Sequence, residues 1–179
     1  MEVTIDARIR GLLVPLREDE RALLEQSVLA EGIRDPLVVW KRADGTRILL
    51  DGHHRYELAK QHGLDYAIVE MTFETEDDAT LWVLQNQLAR RNLTDEQRTL
   101  VLGRLYNQMK LARGRPSEGE KEDNLSSFSG GNATSRYIAS LHGVSDRTVR
   151  NAAEFAEVVD CSAAGRPAAR PTDRLPKTR

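Results

Sequence analysis

The sequence is poor in the residues that fasten small folds covalently. It holds one cysteine, Cys161, among 179 residues. That excludes an internal disulfide and any multi-cysteine zinc site within one chain. Aromatic residues are only 5%. Long apolar runs are missing as well. None exceeds four residues, as in Leu37-Val38-Val39-Trp40. A membrane span needs about 20, and the N-terminus has no apolar stretch of signal-peptide type, so a cytoplasmic protein is expected. Neither sign of charge dominates. Lys and Arg number 26 against 28 Asp and Glu, a net charge of −2. That excludes a uniformly basic, histone-like binder but leaves room for a local basic surface.

What is present suits a soluble globular chain, with 40% apolar and 30% charged residues. Four parts are expected. Residues 1–113 mix short apolar runs with helical periods and read as an α/β domain. Residues 114–133, from Gly114-Arg115-Pro116 to Gly130-Gly131, have linker composition. Residues 134–160 read as helical. Residues 161–179 read as a disordered tail of net charge +4, from Arg166, Arg170, Arg174, Lys177 and Arg179 against Asp173.

Local signals divide the first part. Ala22, Leu23, Val28 and Leu29 lie on a helix from Glu18 that ends near Gly32. Pro36 introduces the strand Leu37–Lys41. Asp44-Gly45 marks a turn, and Thr46–Leu50 forms the returning strand. A helix over Arg55–His62 stops at Gly63, and Ala67–Phe73 forms another strand. Thr75 caps a helix to about Ala89. Thr94 and Gln97 form a capping box that opens a long helix to about Ala112.

The loop Leu50-Asp51-Gly52-His53-His54-Arg55 leads from a strand into a helix. A helix N-terminus offers unpaired N–H groups and partial positive charge, which suit an anion. Gly52 permits close backbone approach, Arg55 supplies a forked donor for phosphate or carboxylate, and His53 and His54 are further donors. A purely structural loop is the alternative: Asp51 caps the helix, Arg55 pairs with Glu57 or Glu31, and the histidines face solvent. A metal site is not expected, because the His pair lacks i, i+4 spacing.

Asp51-Gly52-His53-His54-Arg55-Tyr56-Glu57-Leu58-Ala59 resembles the second motif of the ParB N-terminal domain, a Gly-x-Arg-Arg-Tyr-x-Ala type sequence. Ser27 to Val39 is similar to the first motif, in which a helix ends in Gly before a Pro-initiated strand. Gln85 to Thr94 is similar to the third, Glu-Asn-x-x-Arg before a Leu-Ser or Leu-Thr cap. The resemblance spans roughly residues 5–112. It implies the α/β (α+β) fold shared by ParB, sulfiredoxin and free-serine kinases. It also implies binding of CTP or another nucleoside triphosphate with Mg²⁺, slow hydrolysis at most, and closure as a clamp on DNA. By the same resemblance Gly52, His53, His54, Arg55 and Arg90 would hold phosphates. The family's Glu-Asn pair, which serves magnesium, aligns with Asn86-Gln87. Magnesium favours anionic oxygen ligands, so this pair weakens the case for hydrolysis. The loop lacks sulfiredoxin's cysteine, which argues against sulfinic-acid repair. A free amino acid kinase is the competing enzyme reading. It requires a carboxylate to accept the hydroxyl proton, and Glu31 and Asp51 are its candidates.

Thr134 to Val158 carries a helix-turn-helix pattern. Ala139 is small where two helices cross, Gly143 supplies the turn, and Val149 plugs the core. Ile138, Leu141, Val144, Ala152, Phe155 and Ala156 fill the apolar faces. Ser145 or Asp146 caps the second helix, whose outward Arg147, Thr148, Arg150 and Asn151, with Ser145, are the expected DNA contacts. A plain helical hairpin or a dimerisation element is the alternative. Arg136, Arg147 and Arg150 against Asp146, Glu154, Glu157 and Asp160 leave residues 130–160 at −1. A single copy should therefore bind DNA weakly, and a homodimer or the basic tail is expected to add affinity. From the short stretch after this pattern, no dedicated C-terminal dimerisation domain is expected. Arg90-Arg91 is a further candidate contact with phosphate or DNA. Asn92 reads as a turn residue and Cys161 as incidental. The expected protein is a nucleotide-gated DNA binder of nucleoid or plasmid, in partition or transcriptional control.

Overall fold

The computed structural model describes residues 3–90, 92–114, 131–163 and 165. Most of the expected linker, most of the tail, and Arg91 lie outside them. The elements run α1 (Ala7–Leu12), α2 (Glu18–Glu31), β1 (Leu37–Lys41), β2 (Arg47–Asp51), α3 (His53–His62), β3 (Ile68–Met71), α4 (Glu76–Leu88), α5 (Asp95–Gly114), α6 (Gly131–His142) and α7 (Asp146–Ala163). This is a mixed α/β architecture with a helical part behind a small sheet.

The sheet has the order β2-β1-β3. β1 pairs antiparallel with β2, and the register slips between Val38 and Val39, opposite Asp51 at the end of β2. β1 pairs in parallel with β3. Thr4 bridges in parallel to Ile48 and extends the outer edge. Side chains alternate across a strand. Leu37, Val39 and Leu49 therefore pack on one face with Val3 and Tyr56. Trp40, Ile48 and Leu50 pack on the other with Ile9, Ala79 and Val83.

Several helix ends fall where local sequence signals place them. Gly32 and Gly63 end α2 and α3 with positive φ. Thr75 caps α4, and the Thr94–Gln97 box opens α5 with reciprocal bonds of 3.0 and 3.2 Å. The apolar pattern of α2 misleads. Val28 is buried, but Leu23 and Leu29 are 66% and 53% exposed. α1, capped by Asp6, is an element the sequence reading did not place.

α6 and α7 do not hang free of the rest. Ile138, Ala139, Val149, Ala152 and Ala153 share one core with Leu84 and Leu88 of α4 and Val101, Leu102, Leu105 and Tyr106 of α5. α6 begins at Gly131, inside the segment of linker composition. Leu141 and Val144, expected on the apolar faces, stay exposed. The inward stripe of α6 runs through Ser135, Ile138 and Ala139 and leaves Leu141 beside it, while Val144 lies in the turn between α6 and α7.

Candidate functional site

β2 delivers the chain to α3 through Gly52, which is the N-cap residue and adopts φ 92°. A Cβ there would lie 2.6 Å from Leu37 Cδ2 and 3.2 Å from the Arg55 guanidinium. Only glycine fits this position and this conformation without displacing a neighbour. No side chain caps α3. The reading of Asp51 as a helix cap is thus corrected: its carboxylate bonds arginine side chains and not the backbone N–H groups of α3. The N–H groups of His53, His54 and Arg55 begin the helix and have no intrahelical acceptors.

Asp51 instead holds two arginines. Arg55 Nη2 donates to Oδ2 at 2.9 Å, and Arg90 Nη2 donates to Oδ1. Arg55 Nη1 also donates to the Asp35 carbonyl at 2.8 Å. The alternative pairing of Arg55 with Glu57 or Glu31 is not found. Glu57 binds Arg10 at 2.7 Å, and Glu31 pairs with Arg34.

His53 is 3% exposed, and neither ring nitrogen has a hydrogen-bond partner. Burial pushes its pKa down to about 4, against the opposing pull of the Asp51 carboxylate. Burial also lowers that of His54, partly offset by Glu57. His53 is therefore neutral at pH 7, with one donor and one acceptor to offer. The expectation of solvent-facing histidines does not hold for His53.

These groups line a cleft of about 450 Å³ between the head of α3, Leu13, Val14 and Leu16, Leu24 of α2, and Arg90 and Asn92 after α4. An adjoining hollow of about 550 Å³ shares Leu16, Leu24, Arg90 and Asn92 with it and adds Pro15, Leu23, Glu20 and Gln97. One end is thus polar with helix donors, and the other is largely aliphatic. Leu16 and Leu24 were not singled out from sequence, and Asn92 was read only as a turn residue. Leu16 lies in a segment without an assigned element, and Leu24 was not among the apolar positions read on α2.

Gly52, His53, His54, Arg55 and Arg90 meet in the cleft, while Asn86 and Gln87 are absent from its lining. Gln87 is 1% exposed on the inward stripe of α4, with Val83, Leu84 and Leu88. The spacing that matches the family's third motif also turns this amide into the core. The pair does not fit a magnesium ion in the cleft. Glu31 is likewise outside the cleft lining, and the Asp51 carboxylate is engaged by cations, so neither is placed as a free base.

The α6–α7 hairpin turns at Gly143, φ 66°. Ser145, rather than Asp146, caps α7 by accepting from Thr148 N at 3.0 Å. Arg147, Thr148 and Asn151 are exposed on the first turns of α7. Arg150 donates to Asp146 at 2.6 Å, and that bond lowers the Asp146 pKa. The far half of the helix carries Glu154, Glu157 and Asp160. Arg104 of α5 connects the hairpin to the end of α1. Its Nη2 donates to Asp160 at 2.6 Å and its Nη1 to the Leu12 carbonyl at 3.1 Å.

No protein-family model matches the sequence, and no curated protein matches it. The fold is similar to solved structures of pNOB8-like ParB N-domains. One has TM-score 0.60 and 18% identity, covering 88% of this chain and 65% of that chain. A second has TM-score 0.59 and 20% identity, covering 86% and 60% respectively. This chain therefore spans less than two thirds of the length of either. Its fold is that of a ParB N-terminal domain.

Proposed function

We propose that this chain is a ParB-like DNA-binding protein whose cleft at the head of α3 takes the phosphates of a nucleotide. The observation that carries the reading is His53: a buried imidazole with both nitrogens unpartnered, at a helix N-terminus that no side chain caps. Buried polar groups of this kind are normally satisfied, so a ligand is the natural partner. The unpaired helix N–H groups, Arg55 and Arg90 select an anion. The adjoining hollow, lined by Pro15, Leu16, Leu23 and Leu24, offers apolar surface for a base or sugar. CTP is the first nucleotide to consider, from the resemblance of three motifs. No hydrolytic step is assigned, because Asn86 and Gln87 do not reach the cleft.

DNA contact is assigned to the first turns of α7. A recognition helix reads base edges with its N-terminal residues. Arg147, Thr148 and Asn151 stand exposed there, whereas the far half of α7 is acidic and suits no phosphate backbone. Arg150 would contact DNA on exchanging Asp146 for a phosphate. Ser145 serves the cap. A homodimer is part of the proposal, since the near-neutral hairpin gives a single copy few phosphate contacts. Partition of a replicon or control of transcription are the roles such a switch would serve.

The test is selection of duplex DNA from a random pool by the full chain, with and without CTP. Enrichment of a defined site, lost in Arg147→Ala, supports the reading. Recovery of unselected sequence in both conditions contradicts it.

A further inference from the structure

The cleft that is built for an anion already contains one. Its two arginines, Arg55 and Arg90, face two carboxylates, Asp35 and Asp51, while His53 is neutral. Formal charge in the cleft is therefore balanced, and a phosphate group entering it gains little unless a carboxylate yields. Asp35 is 89% exposed and largely screened by water. Asp51 is 15% exposed, and its two oxygens are divided between the two arginines.

The arginines are not held alike. Arg55 is 18% exposed and anchored at two acceptors, the Asp35 carbonyl at 2.8 Å and Asp51 Oδ2 at 2.9 Å. Arg90 is 40% exposed, lies beyond the end of α4, and bonds to Oδ1. Its long side chain can leave the carboxylate without disturbing α3 or β2.

We propose that Asp51 is an internal competitor for the ligand. Its carboxylate occupies Arg90, and a ligand phosphate takes Arg90 over while Arg55 keeps Asp51 in place. Asp51 then sets a threshold. Weakly charged anions do not displace it, and a polyphosphate does. Arg55 both lines the anion end and holds Asp51 in position, and Arg90 is the arginine that moves onto the ligand. The inference rests on the nucleotide reading above, and its test separates the two.

The full chain and Asp51→Asn are titrated with pyrophosphate, CTP and cytidine by calorimetry, with melting curves as the folding control. Asp51→Asn should bind pyrophosphate and CTP about tenfold more tightly, equivalent to about 1.4 kcal/mol, and cytidine no differently. Unchanged or weaker phosphate binding in folded Asp51→Asn, with the unaltered chain still binding CTP, overturns the competition and leaves the nucleotide reading standing. Absence of binding by both proteins overturns both. Should Asp51→Asn not fold, the unaltered chain decides. The Asp51 carboxyl ¹³C resonance must shift as CTP saturates, and a signal that stays put at saturation overturns the competition.

Discussion

Gly103 of α5 lies against the backbone of Ala152 on α7. A Cβ built on Gly103 would stand 1.9 Å from the Ala152 carbonyl oxygen and 2.8 Å from the Ala156 Cβ. No rotamer change relieves a clash with backbone, so this one glycine fixes how closely the hairpin approaches the rest of the fold.

Gly103→Ala should therefore destabilise by about 3 kcal/mol, the upper range for overpacking a well-filled contact. A lower urea midpoint at unchanged slope reads it. Gly11→Ala is the contrasting control. It lies in α1 with nothing within 4 Å of its Cβ, and the gain in helix propensity should stabilise by up to about 1 kcal/mol.

Gly52→Ala should damage the cleft specifically. The new methyl meets Leu37 and the Arg55 guanidinium while the backbone is held at φ 92°. Strain of about 1–3 kcal/mol is expected, with loss of CTP binding at temperatures where the variant is still folded. Thermal melting and calorimetry on the same sample separate the two effects.

His53 gives a pH signature. Its folded pKa, about 4, lies below the ordinary 6.5. Between those values the unfolded chain takes up a proton that the folded chain refuses, so stability falls as pH falls. The contribution is complete above pH 6.5 and is lost by about pH 4. Allowing for residual solvation, it amounts to about 2 kcal/mol. His54 and His142 are shifted the same way by burial. His53→Gln should therefore flatten the pH dependence of the melting midpoint over this window without abolishing it.

On α7 the outward residues should separate by role. Arg147→Ala and Asn151→Ala should each weaken binding to a selected DNA site by about 1–3 kcal/mol if they read base edges. Arg150→Ala should cost less, because Asp146 competes for its guanidinium at 2.6 Å. Fluorescence anisotropy at fixed salt measures all three.

The parts legible in the sequence were those set by short-range rules. Gly32, Gly63, Gly143 and the Thr94–Gln97 box punctuate helices by their own local chemistry. The run from Asp51 to Arg55 announced a strand leading into a helix head. What escaped depends on partners distant in the chain. Asp51 meets Arg90 from 39 residues away, which no local pattern encodes. The same is true of the parallel pairing of β1 with β3 and of the contact between Gly103 and Ala152. Gln87 shows how a motif match misleads. Its position reads as a ligand-facing amide, yet helical spacing from Val83 and Leu84 places it in the core.

Calorimetric titration of the intact chain with CTP, ATP and GTP, repeated on Arg55→Ala, tests the central claim most directly. Arg55 touches the Asp35 carbonyl, Asp51 and the space beside Gly52, so its removal dismantles the anion end of the cleft. Saturable nucleotide binding by the intact chain, strongest for CTP and lost in a folded Arg55→Ala, is the expected result. No heat of binding with any of the three nucleotides, or affinity unchanged in Arg55→Ala, would contradict the assignment of the α3 cleft as a phosphate site.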